Sequence, residues 1–160
     1  MSSNEYSFMT YWTVQGASLE LIYDILIHGK EFVRWWPEVY LQVDEQETGG
    51  DHGIGKAATL HTKGWLPYTL RWSMKIDGVN YPNGFTLRAL GDFDGRGTWK
   101  FTQRDSNTID IEFDWRLKAE KPLLKYLSFA LKPFFSANHR WAMARGLEGL
   151  KREIARRTMV

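Results

Sequence analysis

From Leu66 to Asp77 every second residue turns from apolar to polar. Leu66, Tyr68, Leu70, Trp72, Met74 and Ile76 stand against Thr69, Arg71, Ser73, Lys75 and Asp77. A period of two places one set on each face of a strand. The same alternation runs through Val39, Leu41 and Val43; Ala58, Leu60 and Thr62; and Phe85, Leu87 and Ala89. It returns at Trp99 and Phe101, and at Ile109, Ile111, Phe113, Trp115 and Leu117. Turns containing Gly or Asn separate most of these runs. An earlier strand is predicted over 6–15, with Phe8, Trp12 and Val14 at even positions.

Helical spacing replaces this alternation in two places. Leu19, Ile22, Tyr23 and Leu26 keep it after the first strand, with Ser18 as N-cap and Gly29 as stop. KEFVRWWP then predicts a second short helix, ended by Pro37. Near the C-terminus, KPLLKYLSFALKPFF reads as a short basic helix bracketed by Pro122 and Pro133. A longer helix follows, whose apolar stripe contains Phe135, Ala142, Met143, Gly146, Leu147, Leu150 and Ile154. His139 falls inside that stripe. Asn138, Trp141 and Arg145 fall on the opposite face.

The order is strand, two short helices, about six antiparallel strands, then helix. Each strand is polar on one face and apolar on the other, which calls for one antiparallel sheet with a wet outside and a covered inside. The last helix is the element long enough to cover it. Tyr68, Leu70, Trp72, Phe85, Leu87, Trp99, Phe113 and Trp115 then share the inner face, opposite His139 and Met143.

Composition narrows the class. The chain has 160 residues, the size of one domain spanning 1–160. A chain of this length buries roughly 70% of the surface its unfolded form exposes. It has no cysteine, so disulfides and thiolate chemistry are excluded. The net charge of +2 is too small to argue for nucleic acid. Eight Trp, seven Tyr and nine Phe make up 15% of the residues, enough to fill a core or line a pocket. MSSNEYSFMTYW has neither the basic nor the apolar region of a signal peptide, so a cytoplasmic protein is expected. The stretch LLKYLSFALKPFF is cut by Lys125 and Lys132 and is too short to span a bilayer.

Several motifs come close to a known chemistry and stop short. GDHGIGKA resembles a phosphate loop, but Ala57 stands where a hydroxyl should hold magnesium, and the strand-like ATLHT follows in place of a helix. A Gly-rich hairpin is expected there. DFDGRG, from Asp92 to Gly97, echoes a calcium loop, but Arg96 and Gln103 occupy ligand positions, so a tight turn between strands is expected. His28, His52, His61 and His139 do not pair at metal-ligand spacing. No Ser or Thr sits in a nucleophile elbow, and no two acidic residues point inward together. No metal or cofactor is implied.

The arrangement resembles the helix-grip fold of the START, birch-pollen-allergen and polyketide-cyclase superfamily (SRPBCC). The carriers are FVRWWPEVY, GWLPYTLRW, PNGFTLRALGDFDGRGTWKF and ANHRWAMARGLEGL, and the resemblance covers essentially the whole chain. It implies an α+β domain in which a curved antiparallel sheet of about seven strands wraps the long C-terminal helix around an apolar cavity. The superfamily holds enzymes, carriers and sensors, so the fold by itself does not name a chemistry.

Joined to the inner aromatic strip, the resemblance implies a small, largely apolar ligand: a lipid, a sterol or an aromatic polyketide. The expected ligand residues are Tyr68, Leu70, Trp72, Phe85, Leu87, Trp99, Phe113, Trp115, His139 and Met143. If the interior is solid, His139 is a neutral core residue bonded to a tyrosine hydroxyl or a carbonyl. If it is hollow, His139 meets the ligand or moves a proton, with Gly146 leaving room. Two alternatives stand beside simple binding. One is a cyclase or dehydratase using His139 or Tyr68 as acid or base. The other is a lipid-transfer module touching an anionic membrane through 121–135, where Lys121, Lys125 and Lys132 accompany Leu124, Leu127, Phe129 and Leu131. The closing KREIARR reads as a solvated helix end.

Overall fold

The alternating segments pair in one seven-stranded antiparallel sheet of order β1-β7-β6-β5-β4-β3-β2. This computed structural model describes residues 4–65, 68–120 and 122–159; of 122–129 and 131 it describes the backbone only. The strands are β1 (Glu5–Gln15), β2 (Tyr40–Glu47), β3 (Ala57–Lys63), β4 (Thr69–Asn80), β5 (Gly84–Gly91), β6 (Phe93–Gln103) and β7 (Thr108–Ala119). From β2 to β7 each strand pairs with the next one along the chain, and β1 closes the row against β7. Helices α1 (Leu19–Ile27) and α2 (Phe32–Trp35) carry the chain from one edge of the sheet to the other. Helix α3 (Pro122–Thr158) follows the last strand. This is the α+β arrangement that the alternation and the final helix predicted. No helix among the described residues is long and apolar enough to cross a membrane.

The inward sets keep the expected parity. Ala58, Leu60 and Thr62 are buried on β3; Phe85, Leu87 and Ala89 on β5; Ile109, Ile111, Phe113 and Trp115 on β7. Ser18 caps α1 by accepting the Leu21 N–H at 3.1 Å. The apolar side of α1 (Ile22, Tyr23, Ile25, Leu26 and Ile27) is buried. GDHGIGKA forms the β2–β3 connection, with a 3₁₀ turn at Asp51–Gly53 in place of a helix start.

Four expectations need correction. Val39, Leu41 and Val43 do not share a face, because a bulge between Tyr40 and Gln42 inserts Leu41 as an extra residue. Tyr40 therefore turns inward and Leu41 is 42% exposed. DFDGRG is mostly strand: only Asp92 lies between β5 and β6, and Gly95 pairs with Leu117 and Ala89. Its glycines serve packing, since a Cβ on Gly97 would come within 3.0 Å of both Phe113 and Trp115. Third, Pro133 does not divide two helices; α3 runs on through it. A proline deletes one N–H and strains one turn, and the stripe packed beyond it outweighs that local cost. Fourth, KREIARR is not simply solvated. Glu153 is 2% exposed and receives both terminal nitrogens of Arg34 at 2.7 Å.

Beyond Met143, α3 approaches α2 closely and also touches α1. Gly146 and Gly149 make this possible. A Cβ at Gly146 would sit 2.5 Å from the Trp36 ring, and one at Gly149 would sit 2.0 Å from the Trp35 carbonyl oxygen. The Trp36 indole N–H donates to the Ala142 carbonyl at 3.0 Å. Gly146 thus gives its space to Trp36 and leaves none for a ligand. The reason is a close helix–helix approach, which depends on residues more than a hundred positions away in sequence.

Candidate functional site

Before Met143 the same helix faces a void. A cavity of about 200 Å³ lies between the inner sheet face, α1, α2 and α3. One water takes about 10–15 Å³ of such space, so there is room for a molecule many times larger. Leu70 and Trp72 on β4, Phe85 and Leu87 on β5, Trp99 on β6, and Phe113 and Trp115 on β7 all line it. Tyr68 lines it just ahead of β4, and His139 and Met143 line it from α3. Leu66 lies outside the described residues.

The floor is a run of rings. Trp99 stacks on Phe113 at 4.2 Å between centroids, and Phe113 stacks on Trp115 at 5.5 Å. Trp72 continues the run at 5.8 Å from Trp115, tilted by 49°. Gly97 leaves the space into which the rings of β7 fit. The Trp72 indole N–H donates to the Thr62 hydroxyl at 3.1 Å, so its one polar atom is satisfied within the wall.

Polar groups gather where β1, the start of β4 and α3 meet. The His139 ring stacks on Phe8 at 4.2 Å, and its Nε2 lies 3.4 Å from the Thr10 hydroxyl. Burial, helped by the Arg140 charge, lowers its pKa to about 4. The imidazole is therefore neutral at pH 7, and its cation is not a working species there. Its partner is a threonine rather than the tyrosine or carbonyl expected of a solid core. Burial, with Tyr6 adding, pushes the Tyr68 phenol above its ordinary range, so it stays protonated. Tyr6 and Tyr68 both pack edge-on against Phe135, at 5.7 and 6.3 Å. At the rim Asn138 accepts the Trp65 N–H at 2.8 Å, tying the segment after β3 to α3.

No protein-family model matches the chain, and no curated protein matches it by sequence. Solved structures do match by shape. An aromatase/cyclase, Zhui from Streptomyces sp. R1128, superposes with a TM-score of 0.72 at 16% identity over 98% of this chain and 97% of that one. A START superfamily protein from Mycobacterium smegmatis gives 0.67 at 13% identity over 94% and 99%. Truncated norcoclaurine synthase from Thalictrum flavum gives 0.62 at 14% identity over 91% and 92%. The chain shares the helix-grip fold of these structures. At such identities the likeness concerns backbone architecture, and the chemistry of the helix-grip cavity must come from its own side chains.

Some helix-grip lining residues escaped the sequence pattern. Tyr40 lines the cavity because of the bulge at Leu41, a feature with no clear mark in the local sequence. It packs on Phe32 and Trp36 at 5.0 Å each, and burial raises its phenol pKa. Tyr6 and Phe8 were recoverable, since they share the even positions of Trp12 and Val14 on β1. Asn138, assigned to the far side of the last helix, lines the rim; it lies on the flank of the His139 face and is met there by Gly64 and Trp65. Trp141, likewise assigned to the far side, is half-buried against the core. In 121–135, Lys121 and the side chains of Leu124, Lys125, Leu127, Phe129 and Leu131 lie outside the described residues. Lys132 is described, with its ammonium 5.0 Å over the Tyr6 ring.

Proposed function

We propose that this protein binds a small, largely apolar molecule in the cavity between its sheet and α3. One observation carries the reading: a void of about 200 Å³ floored by Trp72, Trp99, Phe113 and Trp115, with polar groups gathered at one end. A solid core would have filled it, since interiors pack like organic crystals. An aromatic floor suits a flat ligand, and a few polar groups at one edge suit its orientation. Tyr68, Leu70, Trp72, Phe85, Leu87, Trp99, Phe113, Trp115, His139 and Met143 are the proposed ligand contacts. The names of the similar structures, an aromatase/cyclase and a norcoclaurine synthase among them, support an aromatic ligand. Native mass spectrometry of the purified protein should show a bound small molecule. A panel of lipids, sterols and aromatic polyketides should include one class that raises the melting temperature. A protein that purifies empty and shifts with none of them would overturn the reading.

A second reading, an enzyme that folds or dehydrates its ligand, is favoured by the protonated Tyr68 phenol facing the same cavity as His139. In it the neutral His139 imidazole can take a proton, and the Tyr68 phenol, held protonated, can donate a hydrogen bond to an oxygen on which charge develops. Tyr68→Phe would then abolish turnover while affinity stays nearly constant. Delivery at a membrane is tested by liposome co-sedimentation. The segment concerned is 121–135, so binding should disappear when Lys121, Lys125 and Lys132 are neutralised; of its described residues Phe134 is 53% exposed.

A further inference from the structure

We propose that the cavity selects an uncharged ligand bearing a carbonyl or hydroxyl oxygen at one edge, and excludes the carboxylate of the same shape. This rests on the reading of the cavity as a ligand site and adds the charge of the ligand to it. Among the described residues that line the void there is no Asp, Glu or Arg. Lys63 lines it, but alternation with the buried Thr62 turns its exposed side chain away from the interior. The polar edge is built of neutral groups in ring contact. Tyr68 and Tyr6 meet Phe135, Tyr6 stacks on Phe8 at 5.8 Å, and Phe8 stacks on His139.

Two of these groups, Tyr68 and His139, are held neutral by their surroundings. Burial keeps the Tyr68 phenol protonated and the His139 imidazole unprotonated. Phenol O–H, imidazole N–H and the Asn138 amide are donors suited to a neutral oxygen. The nearby cations, Lys132 over the Tyr6 ring and Arg140 next to His139 in sequence, do not line the void, so a carboxylate would give up its water here and meet no cation among the lining groups that face it. The ionised acid is therefore the disfavoured form, whatever the fit of its rings.

An isosteric pair tests this. 2-Acetylnaphthalene and 2-naphthoate share a flat ring system and differ by a methyl group against a charged oxygen. In equilibrium dialysis at neutral pH the ketone is expected to bind at least about 30-fold more tightly, the scale set by an unpaired buried charge. Naphthoate binding within about threefold of the ketone would overturn the charge selection and leave the ligand site standing. Failure of both to bind would overturn the aromatic-ligand reading and this inference with it. Tyr68→Lys places a cation on the same edge and is expected to raise naphthoate affinity at least about tenfold. No rise in a folded variant would show that charge is not the limit, and would also overturn the proposal.

Discussion

The two halves of α3 share one helix and one amphipathic pattern, yet they meet opposite surroundings. From Gly146 onward the helix is pressed against Trp35 and Trp36 at the end of α2 so closely that two positions have no room for a methyl group. From Phe135 to Met143 it looks across a cavity at an aromatic floor. The first half binds the domain together and the second leaves room for something else. What differs is the partner. The C-terminal half meets two short helices that insert Trp35 and Trp36, whereas the N-terminal half meets a concave sheet that curves away. An amphipathic stripe states only that a face is covered; it does not state by what.

The contrast can be broken first at its tightest contact. Gly149→Ala would drive a Cβ against the Trp35 carbonyl, a backbone atom that moves only with α2. A loss of about 3 kcal/mol is expected in denaturant unfolding, at the upper end of overpacking costs. A loss below about 1 kcal/mol would mean that the packed half is looser than described.

Glu153 comes next. Its carboxylate, 1% exposed, holds Arg34, Arg156 and Arg157, and these pairs keep its pKa well below the usual range. Glu153→Gln keeps the shape and removes the charge. Because Arg34 and Arg156 are 41% and 59% exposed and partly screened, the expected cost is about 2 kcal/mol rather than that of a fully buried pair. The sign with pH follows from the depressed pKa: this contribution is present above the ordinary glutamate value and is lost as pH falls below it. Equal acid sensitivity in wild type and variant below pH 4 would contradict it.

The hollow half has its own, higher window. His139 is lowered from 6.5 to about 4, so the unfolded chain binds the extra proton between those values. Stability associated with the neutral imidazole is complete above pH 6.5 and drains away as pH falls toward 4. Since the residue is half-buried, about 2 kcal/mol is expected across that interval. His139→Phe should flatten the interval and leave the acid limb below it unchanged. An unaltered slope would place the titration elsewhere.

The smallest effect is expected from filling the void. Ala142 lines the cavity, and its carbonyl, not its methyl group, holds Trp36. Ala142→Leu should change stability by less than about 1 kcal/mol, since the added atoms enter empty space. It should also weaken whichever ligand the wild type retains. The same three extra carbon atoms placed in the packed half would be destabilising, which makes the pair of substitutions a direct measure of the difference.

Much of the cavity lining is legible in the sequence. Trp72, Phe85, Trp99, Phe113 and Trp115 sit where a period of two puts them, because a strand side chain has only two directions to choose from. His139 was singled out for the same kind of reason, as a polar residue in an apolar stripe. Tyr40 was hidden by one inserted residue, Leu41, which puts the residues on its two sides out of phase with a simple alternation. Asn138 was hidden because a flank position of a helix is inside or outside according to what approaches it. The neutrality of His139 was also out of reach, since desolvation is set by distant neighbours rather than by local sequence.

The sequence by itself determined the elements, the inward set on each strand and the covering role of the last helix. These follow from alternation, helical spacing and capping, which act within a few residues. Only the tertiary structure decided that one half of that helix is packed and the other hollow, that Gly146 serves Trp36, and that Glu153 is an anchor. Each of those outcomes is a meeting of segments far apart in the chain. Whether a gap is filled or left open is a matter of volume, and volume is settled only when the partners arrive.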